Sequence, residues 1–129
     1  MELWERLESV RVATLGTLRP SGRPHLVPVV FAVVGERVVT AIDGKPKSGS
    51  WPQRLKNIEQ NPLVSLLAHH YDEDWERLWW VRVDGVGTVT TDDPEALSGL
   101  RARYRQYATV ELPGPFISIA VTGISGWPG

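Results

Sequence analysis

Alternation and apolar runs divide the chain into short segments. Leu3 and Leu7, four apart around Trp4-Glu5-Arg6, predict one or two turns of amphipathic helix. Val10 to Leu18, rich in Val, Thr and Leu, predicts a strand, and Arg19-Pro20-Ser21-Gly22-Arg23-Pro24 behind it is turn chemistry. His25 to Val34 is apolar on both faces, the pattern of a strand between two layers or of a barrel wall that is also an interface. Pro28 cannot donate to a ladder, so it marks an edge or a bulge in that strand. Gly35-Glu36 links it to a third strand, Arg37 to Ile42, and the three together predict a meander.

Gly44 to Ser50 reads as a loop before a helix. Ser50 and Gln53 have capping-box spacing, Pro52 suits a first turn, Leu55 and Ile58 form the buried stripe, and Asn61-Pro62 ends it. Leu63 to Ala68 is a fourth strand and Tyr71-Asp72-Glu73-Asp74 a polar turn. Arg77 to Thr91 predicts a long fifth strand. Trp79, Val81, Val83, Gly85, Gly87 and Val89 share one face of it, and Trp80, Arg82, Asp84 and Thr88 the other. Asp92-Asp93-Pro94-Glu95 starts a helix that turns Leu97, Leu100 and Tyr104 inward and Arg101, Arg103 and Arg105 mostly outward. Leu112-Pro113-Gly114-Pro115 breaks the chain before a sixth strand, Phe116 to Ile124. Six strands with two modest helices predict a mainly β protein, a small closed antiparallel barrel.

Length and composition narrow the choice. At 129 residues the chain makes one domain, residues 1–129, which buries roughly two-thirds of its unfolded surface. With 42% hydrophobic and 22% charged residues it is globular rather than disordered. A formal charge of −1 argues against a nucleic-acid partner. The absence of cysteine excludes disulfides, thiolate nucleophiles and cysteine-ligated metals. The acidic start carries no secretory pattern, and the most apolar stretch, Leu26 to Val34, is far short of the ~20 residues of a membrane helix. The expectation is a cytoplasmic protein with no membrane partner. Six tryptophans in so short a chain predict that some line a site or an interface.

The three lysines, Lys45, Lys47 and Lys56, fall close together with Arg54 among them. They bracket the start of a helix, where unpaired N–H groups and the positive end of the dipole favour phosphate or carboxylate. A solvated basic loop has the same spacing. Asp72, Glu73 and Asp74 lack the ligand spacing of a calcium loop and read as a solvated turn. Trp80 and Arg82, on one strand face, suit a flat anionic ring or form a surface cation–π pair. His69 and His70 point to opposite faces and cannot clasp one metal, and His25 follows a proline at a strand start. No serine–histidine–carboxylate set is visible. With no catalytic side chain and no metal site in view, the chemistry is expected to come from a cofactor.

Ala13-Thr14-Leu15-Gly16-Thr17, followed by Ser21-Gly22-Arg23-Pro24-His25-Leu26-Val27-Pro28-Val29, resembles the opening of the pyridoxamine-phosphate-oxidase-like split-barrel family. DGKPK (Asp43 to Lys47) and RLKNIEQNPLVSLL (Arg54 to Leu67) resemble its phosphate-binding loop and following helix. YDEDWERLWWVR, from Tyr71 to Arg82, resembles the branch that uses the deazaflavin coenzyme F420. The resemblance, from about Val10 to Trp127, implies a six-stranded antiparallel split β-barrel of the FMN-binding type. It also implies a homodimer with cofactor grooves between subunits, and an oxidoreductase acting on a small-molecule substrate with F420, or alternatively FMN. By position, Lys45, Lys47 and Ser48 match the phosphate loop, Asn57 a helix position facing the cofactor, and Pro28 and Val29 the strand under the ring. Arg54 and Lys56 follow on the helix, and Trp80 and Arg82 match the region contributed by the partner subunit.

Overall fold

The computed structural model describes residues 1–42, 51–112 and 114–129. Helix α1 (Leu3–Ser9) leads into strand β1 (Ala13–Leu18), which turns back into β2 (Pro24–Val29). Gly22, at φ 85°, supplies the left-handed residue of that turn, and its N–H donates to the Arg19 carbonyl at 2.8 Å. Strands β3 (Ala32–Val34) and β4 (Arg37–Ala41) form a second hairpin around Gly35 at φ 61°. Helix α2 (Gln53–Gln60), β5 (Leu63–His70), β6 (Trp79–Thr90), α3 (Pro94–Arg103) and β7 (Phe116–Trp127) complete the chain. No described helix is long and apolar enough to cross a membrane.

All seven strands join one antiparallel sheet in the order β2-β1-β5-β6-β7-β4-β3. The expected strand from His25 to Val34 is therefore two strands, and the described residues form seven strands rather than six. Nor is there a three-strand meander, because β2 and β3 lie at opposite ends of the strand order. Only Val30 and Phe31 separate them in the chain, so the sheet has to curl until its two ends meet. Two contacts close that seam. Thr40 Oγ1 in β4 donates to the Val30 carbonyl at 2.7 Å, and the Tyr104 hydroxyl is hydrogen-bonded to both the N–H (3.0 Å) and the carbonyl (2.8 Å) of Phe31. The result is the split-barrel fold. Pro28 lies on an end strand, where its missing N–H breaks no inner ladder.

Alternation sorts the side chains as the sequence requires. Leu15, Leu66, Val81, Val83, Ile117 and Ile119 fill the barrel, with Phe31 and Val38 from the closing seam. Helix α2 plugs it with Leu55 and Ile58, and α1 with Leu7. Helix α3 starts as expected: Asp93 Oδ1 accepts from the Ala96 N–H at 3.1 Å and Pro94 takes the first turn. Arg103 departs from expectation. It turns inward, donates to the carbonyls of Glu8 and Val10, and places its guanidinium over the Phe31 ring, tying α3 to α1 and to the seam. Asp72 and Asp74 serve their turn, each accepting from the backbone N–H two residues on.

Candidate functional site

Helix α2 begins at Pro52, which occupies the cap position and offers no side-chain acceptor, so its first turn is fixed from inside. Gln53 Nε2 donates to Asn57 Oδ1 at 2.8 Å, and Asn57 Nδ2 donates to Thr17 Oγ1 on β1 at 3.0 Å. Asn57 is 0% exposed and Thr17 is buried. This relay, with Leu55 and Ile58 beneath it, pins α2 across the barrel and aims Arg54 at one end of it.

Arg54 there joins a cavity of about 370 Å³. Its walls are Pro28, Val29 and Val30 from β2 and the link, Thr40 and Ala41 from β4, and Ile42 just after it. Val12, Pro52 and Tyr107 also line it among the described residues. The Thr40 hydroxyl is occupied by the Val30 carbonyl, so the β walls present mainly apolar surface, with one guanidinium at the α2 side. An apolar slot with a cation at one end suits a flat ring system that carries an anionic group.

His25 lies near the start of β2. It sits opposite Thr17 in the β1–β2 register, and its Nδ1 is buried with no hydrogen-bond partner among the described residues. Burial first, then the positive fields of Arg19 and Arg54, hold its imidazole below the usual histidine range, so the ring is neutral near pH 7.

The structure thus brings together Pro28, Val29 and Arg54. Lys45, Lys47 and Ser48, and Ser50 of the expected capping box, lie outside the described residues. The chain on either side of that stretch, Ile42 and Pro52, lines the cavity. Lys56 is exposed on α2, and Asn57 is enclosed between helix and sheet with no surface open to a ligand in this chain. Trp80 and Arg82 form the same-face pair expected of them, the guanidinium 5.8 Å from the ring centroid, and Arg82 also meets the Asp84 carboxylate at 3.3 Å. Pro28, Thr14, Leu67 and Arg82 stand in one row across β2, β1, β5 and β6. Three strand spacings, roughly 15 Å along the sheet, separate its ends.

Sequence reasoning missed Val12, Thr40 and Tyr107. The signal for Tyr107 was its place three residues after Tyr104, which sets the two rings edge to face at 5.9 Å. A larger cavity, about 440 Å³, opens on the outer sheet face near Gly16, Leu63, Ser65 and Asp84. Ser65 Oγ donates to Asp84 there at 2.6 Å, and a carboxylate at its centre repels an anionic ligand. Among the described residues no three His, Asp or Glu side chains gather into a metal-binding group.

The family model described as pyridoxamine 5'-phosphate oxidase matches residues 2–126. The chain belongs to the pyridoxamine 5'-phosphate oxidase family. No curated protein is similar enough to stand as a relative. Solved structures of this family's fold resemble the chain along nearly its whole length. An FAD-binding protein from Mesorhizobium loti is 22% identical with a TM-score of 0.70, over 96% of this chain and 90% of that one. The FAD binding protein from Mycobacterium smegmatis is 23% identical with a TM-score of 0.66, covering 96% and 89%. A heme binding protein from the same organism is 18% identical with a TM-score of 0.75, covering 96% of this chain and 51% of that one. At these identities the likeness establishes the split barrel as the shared fold.

Proposed function

We propose that this member of the family is an oxidoreductase built around a flavin-type cofactor seated in the Arg54 cavity, with the deazaflavin F420 as the cofactor and a small unsaturated or carbonyl compound as substrate. The carrying observation is the cavity itself, where the apolar walls of Pro28, Val29, Ala41 and Ile42 end at a guanidinium. When bound, the cofactor supplies hydride chemistry that no side chain here performs. The protein's part is to bind the ring against the apolar walls, to hold the phosphate through Arg54 with Lys45, Lys47 and Ser48, and to exclude water. Asn57 supports Arg54 from beneath through the α2–β1 relay.

The tryptophan tract from Tyr71 to Arg82 favours F420, while the two FAD-binding structures of the same fold favour a flavin such as FMN. Fluorescence titration of the protein with F420, FMN and FAD in parallel decides between them. Tight binding of FMN or FAD alone overturns the deazaflavin assignment. Oxidation of the reduced cofactor, stimulated by quinone, enone or nitroaromatic acceptors well above background, separates an enzyme from a carrier with little turnover. Lys45→Ala and Lys47→Ala should each weaken cofactor binding by roughly 1–3 kcal/mol, the range of a lost charge-assisted hydrogen bond.

The working unit proposed is a homodimer. Leu26 (66% exposed) and Leu63 (60%) lie with Leu67 on the outer face of β2, β1 and β5, a patch that a second copy would cover. Such a copy could also bring its own Trp80 or Arg82 to the cavity, which this chain's pair does not line. Sedimentation at micromolar concentration should give twice the chain mass, and a monomer that binds cofactor fully would refute the shared site.

A further inference from the structure

Every backbone N–H and C=O in a barrel wall needs a partner, so a ladder that stops short leaves groups to account for. Strand β4 loses one of its two neighbours part-way along. Its pairing with β3 runs through Val34–Arg37, Val33–Val38 and Ala32–Val39 and then ends, although β4 continues to Ala41. The two-residue loop Gly35-Glu36 makes Val34 and Arg37 the closing hydrogen-bonded pair, and bonded pairs recur at every second residue. Ala32 and Val39 are the next such pair, and in a continued ladder Val30 and Ala41 would follow. The β7 side agrees. Ile42 N–H donates to the Pro115 carbonyl at 3.1 Å, so Ala41, one residue earlier, turns its N–H and carbonyl the other way.

The pair between Val30 and Ala41 is not made. Thr40 Oγ1 takes the Val30 carbonyl at 2.7 Å, and the Tyr104 hydroxyl takes both backbone groups of Phe31, which holds this stretch off the ladder. Among the described residues the Ala41 N–H and carbonyl have no partner. Ala41 is 5% exposed, and it and Val30 both line the cavity. A donor and an acceptor side by side on a buried strand edge are costly unless a ligand meets both.

We infer that Ala41 recognises the ring edge of the ligand through its backbone: its N–H donates to a ring carbonyl and its carbonyl accepts from the adjacent ring N–H of a cyclic amide or imide. Thr40 is the positioning residue, because its hydroxyl keeps the Val30 carbonyl from closing on the Ala41 N–H. The inference rests on the cofactor reading above and narrows it to the chemistry of the ring edge. Flavins and deazaflavins carry an imide there, and a porphyrin has none. The selecting groups are main-chain atoms, so no residue type in the sequence announces them.

Hydrogen exchange followed amide by amide in NMR spectra needs no ligand. The Ala41 N–H should exchange at least about tenfold faster than those of Thr40 and Ile42, which face β7 and Pro115. Equal protection would mean that Ala41 is already paired and would overturn the inference. Thr40→Val should slow the Ala41 exchange as Val30 closes on it, and Thr40→Ser, which keeps the hydroxyl, should not; unchanged exchange in folded Thr40→Val refutes the role of Thr40. If Thr40→Val does not fold, the unaltered protein still gives the deciding comparison with ligands. F420 and FMN are each titrated against the same compound methylated at ring N3, which removes the imide donor. Methylation should weaken whichever cofactor binds by about 10- to 100-fold, the loss of one or two buried hydrogen bonds, and binding of the parent should move the Ala41 amide resonance downfield. Equal affinity for parent and methylated forms, or an unmoved Ala41 resonance in the complex, overturns the inference and leaves the cofactor reading standing. If neither parent compound binds, the cofactor reading itself fails, and the imide assignment falls with it.

Discussion

Replacing Asn57 by alanine separates a structural relay from a ligand contact. The side chain is fully buried, donates to Thr17 Oγ1 at 3.0 Å and accepts from Gln53 Nε2 at 2.8 Å. Gln53 is half-buried and can turn to water, so its loss is small. Thr17 is sealed against the barrel, and an orphaned buried hydroxyl costs about 1–3 kcal/mol. The three heavy atoms removed leave a void worth about 1 kcal/mol more if the helix does not settle into it. The expected loss is therefore about 2–4 kcal/mol, which with a urea slope of about 2 kcal/mol/M moves the unfolding midpoint down by about 1–2 M at constant slope. Adding Thr17→Val removes the orphan, so the double variant should be more stable than the sum of the two single losses predicts, by about 1 kcal/mol or more. If Asn57→Ala unfolds within about 0.5 kcal/mol of the unaltered protein, the effect of an ordinary surface substitution, the relay does not hold α2. Lost cofactor affinity in that same variant would then restore Asn57 to the ligand.

Four further outcomes follow from other contacts. Gly85→Ala would place a Cβ 2.5 Å from the Ala120 carbonyl oxygen and 2.6 Å from Ile119 Cγ2, so thermal unfolding should show a loss of about 2–3 kcal/mol. Tyr104→Phe removes the hydroxyl that meets the N–H and carbonyl of Phe31 and also accepts from Arg103 Nε; urea denaturation should register about 2–3 kcal/mol. Arg37 donates to both Asp93 oxygens, at 2.6 and 2.9 Å, and this bond first of all holds the Asp93 carboxyl below its usual range. That contribution is complete above the unfolded carboxylate value of about 3.9 and is lost as pH falls through the lower folded value. Asp93→Asn keeps the helix cap but should lack that part of the acid limb, and an unchanged acid limb in stability measured from pH 5 to pH 2 would refute the pairing. His25 has the opposite origin and the same sign. Held neutral when folded, it should subtract stability as pH drops below about 6.5, and His25→Asn should flatten that slope.

Local chemistry was the legible part of the sequence. Asp93-Pro94 at the start of α3, the Gly35-Glu36 hairpin and the alternation along β6 each depend on near neighbours and appear where expected. Strand ends shifted by a few residues because pairing partners decide them. β5 runs on to His70 and β7 to Trp127 since β6 is long enough to pair with both. The break at Val30-Phe31 escaped detection because the residues on each side are apolar, and only closure of the barrel shows that the chain changes ends of the sheet there. At the candidate site, the apolar strand and the helix that carries Arg54 were legible, whereas the burial of Asn57 against Thr17 was not. A polar helix residue reads as solvent- or ligand-facing until the buried hydroxyl that it satisfies, distant in sequence, is known.

The strand order also bears on when this protein can fold. β7 pairs with β6 on one side and β4 on the other, so among the described strands it carries the ladder pairing between the β2-β1-β5-β6 group and the β4-β3 hairpin. During synthesis those two groups emerge first and cannot be sewn together until Phe116 and the residues after it have left the ribosome. Most of the barrel's long-range pairing is thus deferred to a late, nearly all-or-none step, with apolar strand edges waiting in the meantime. A chain stopped before Phe116 should be a target for chaperones and proteases rather than a smaller stable domain.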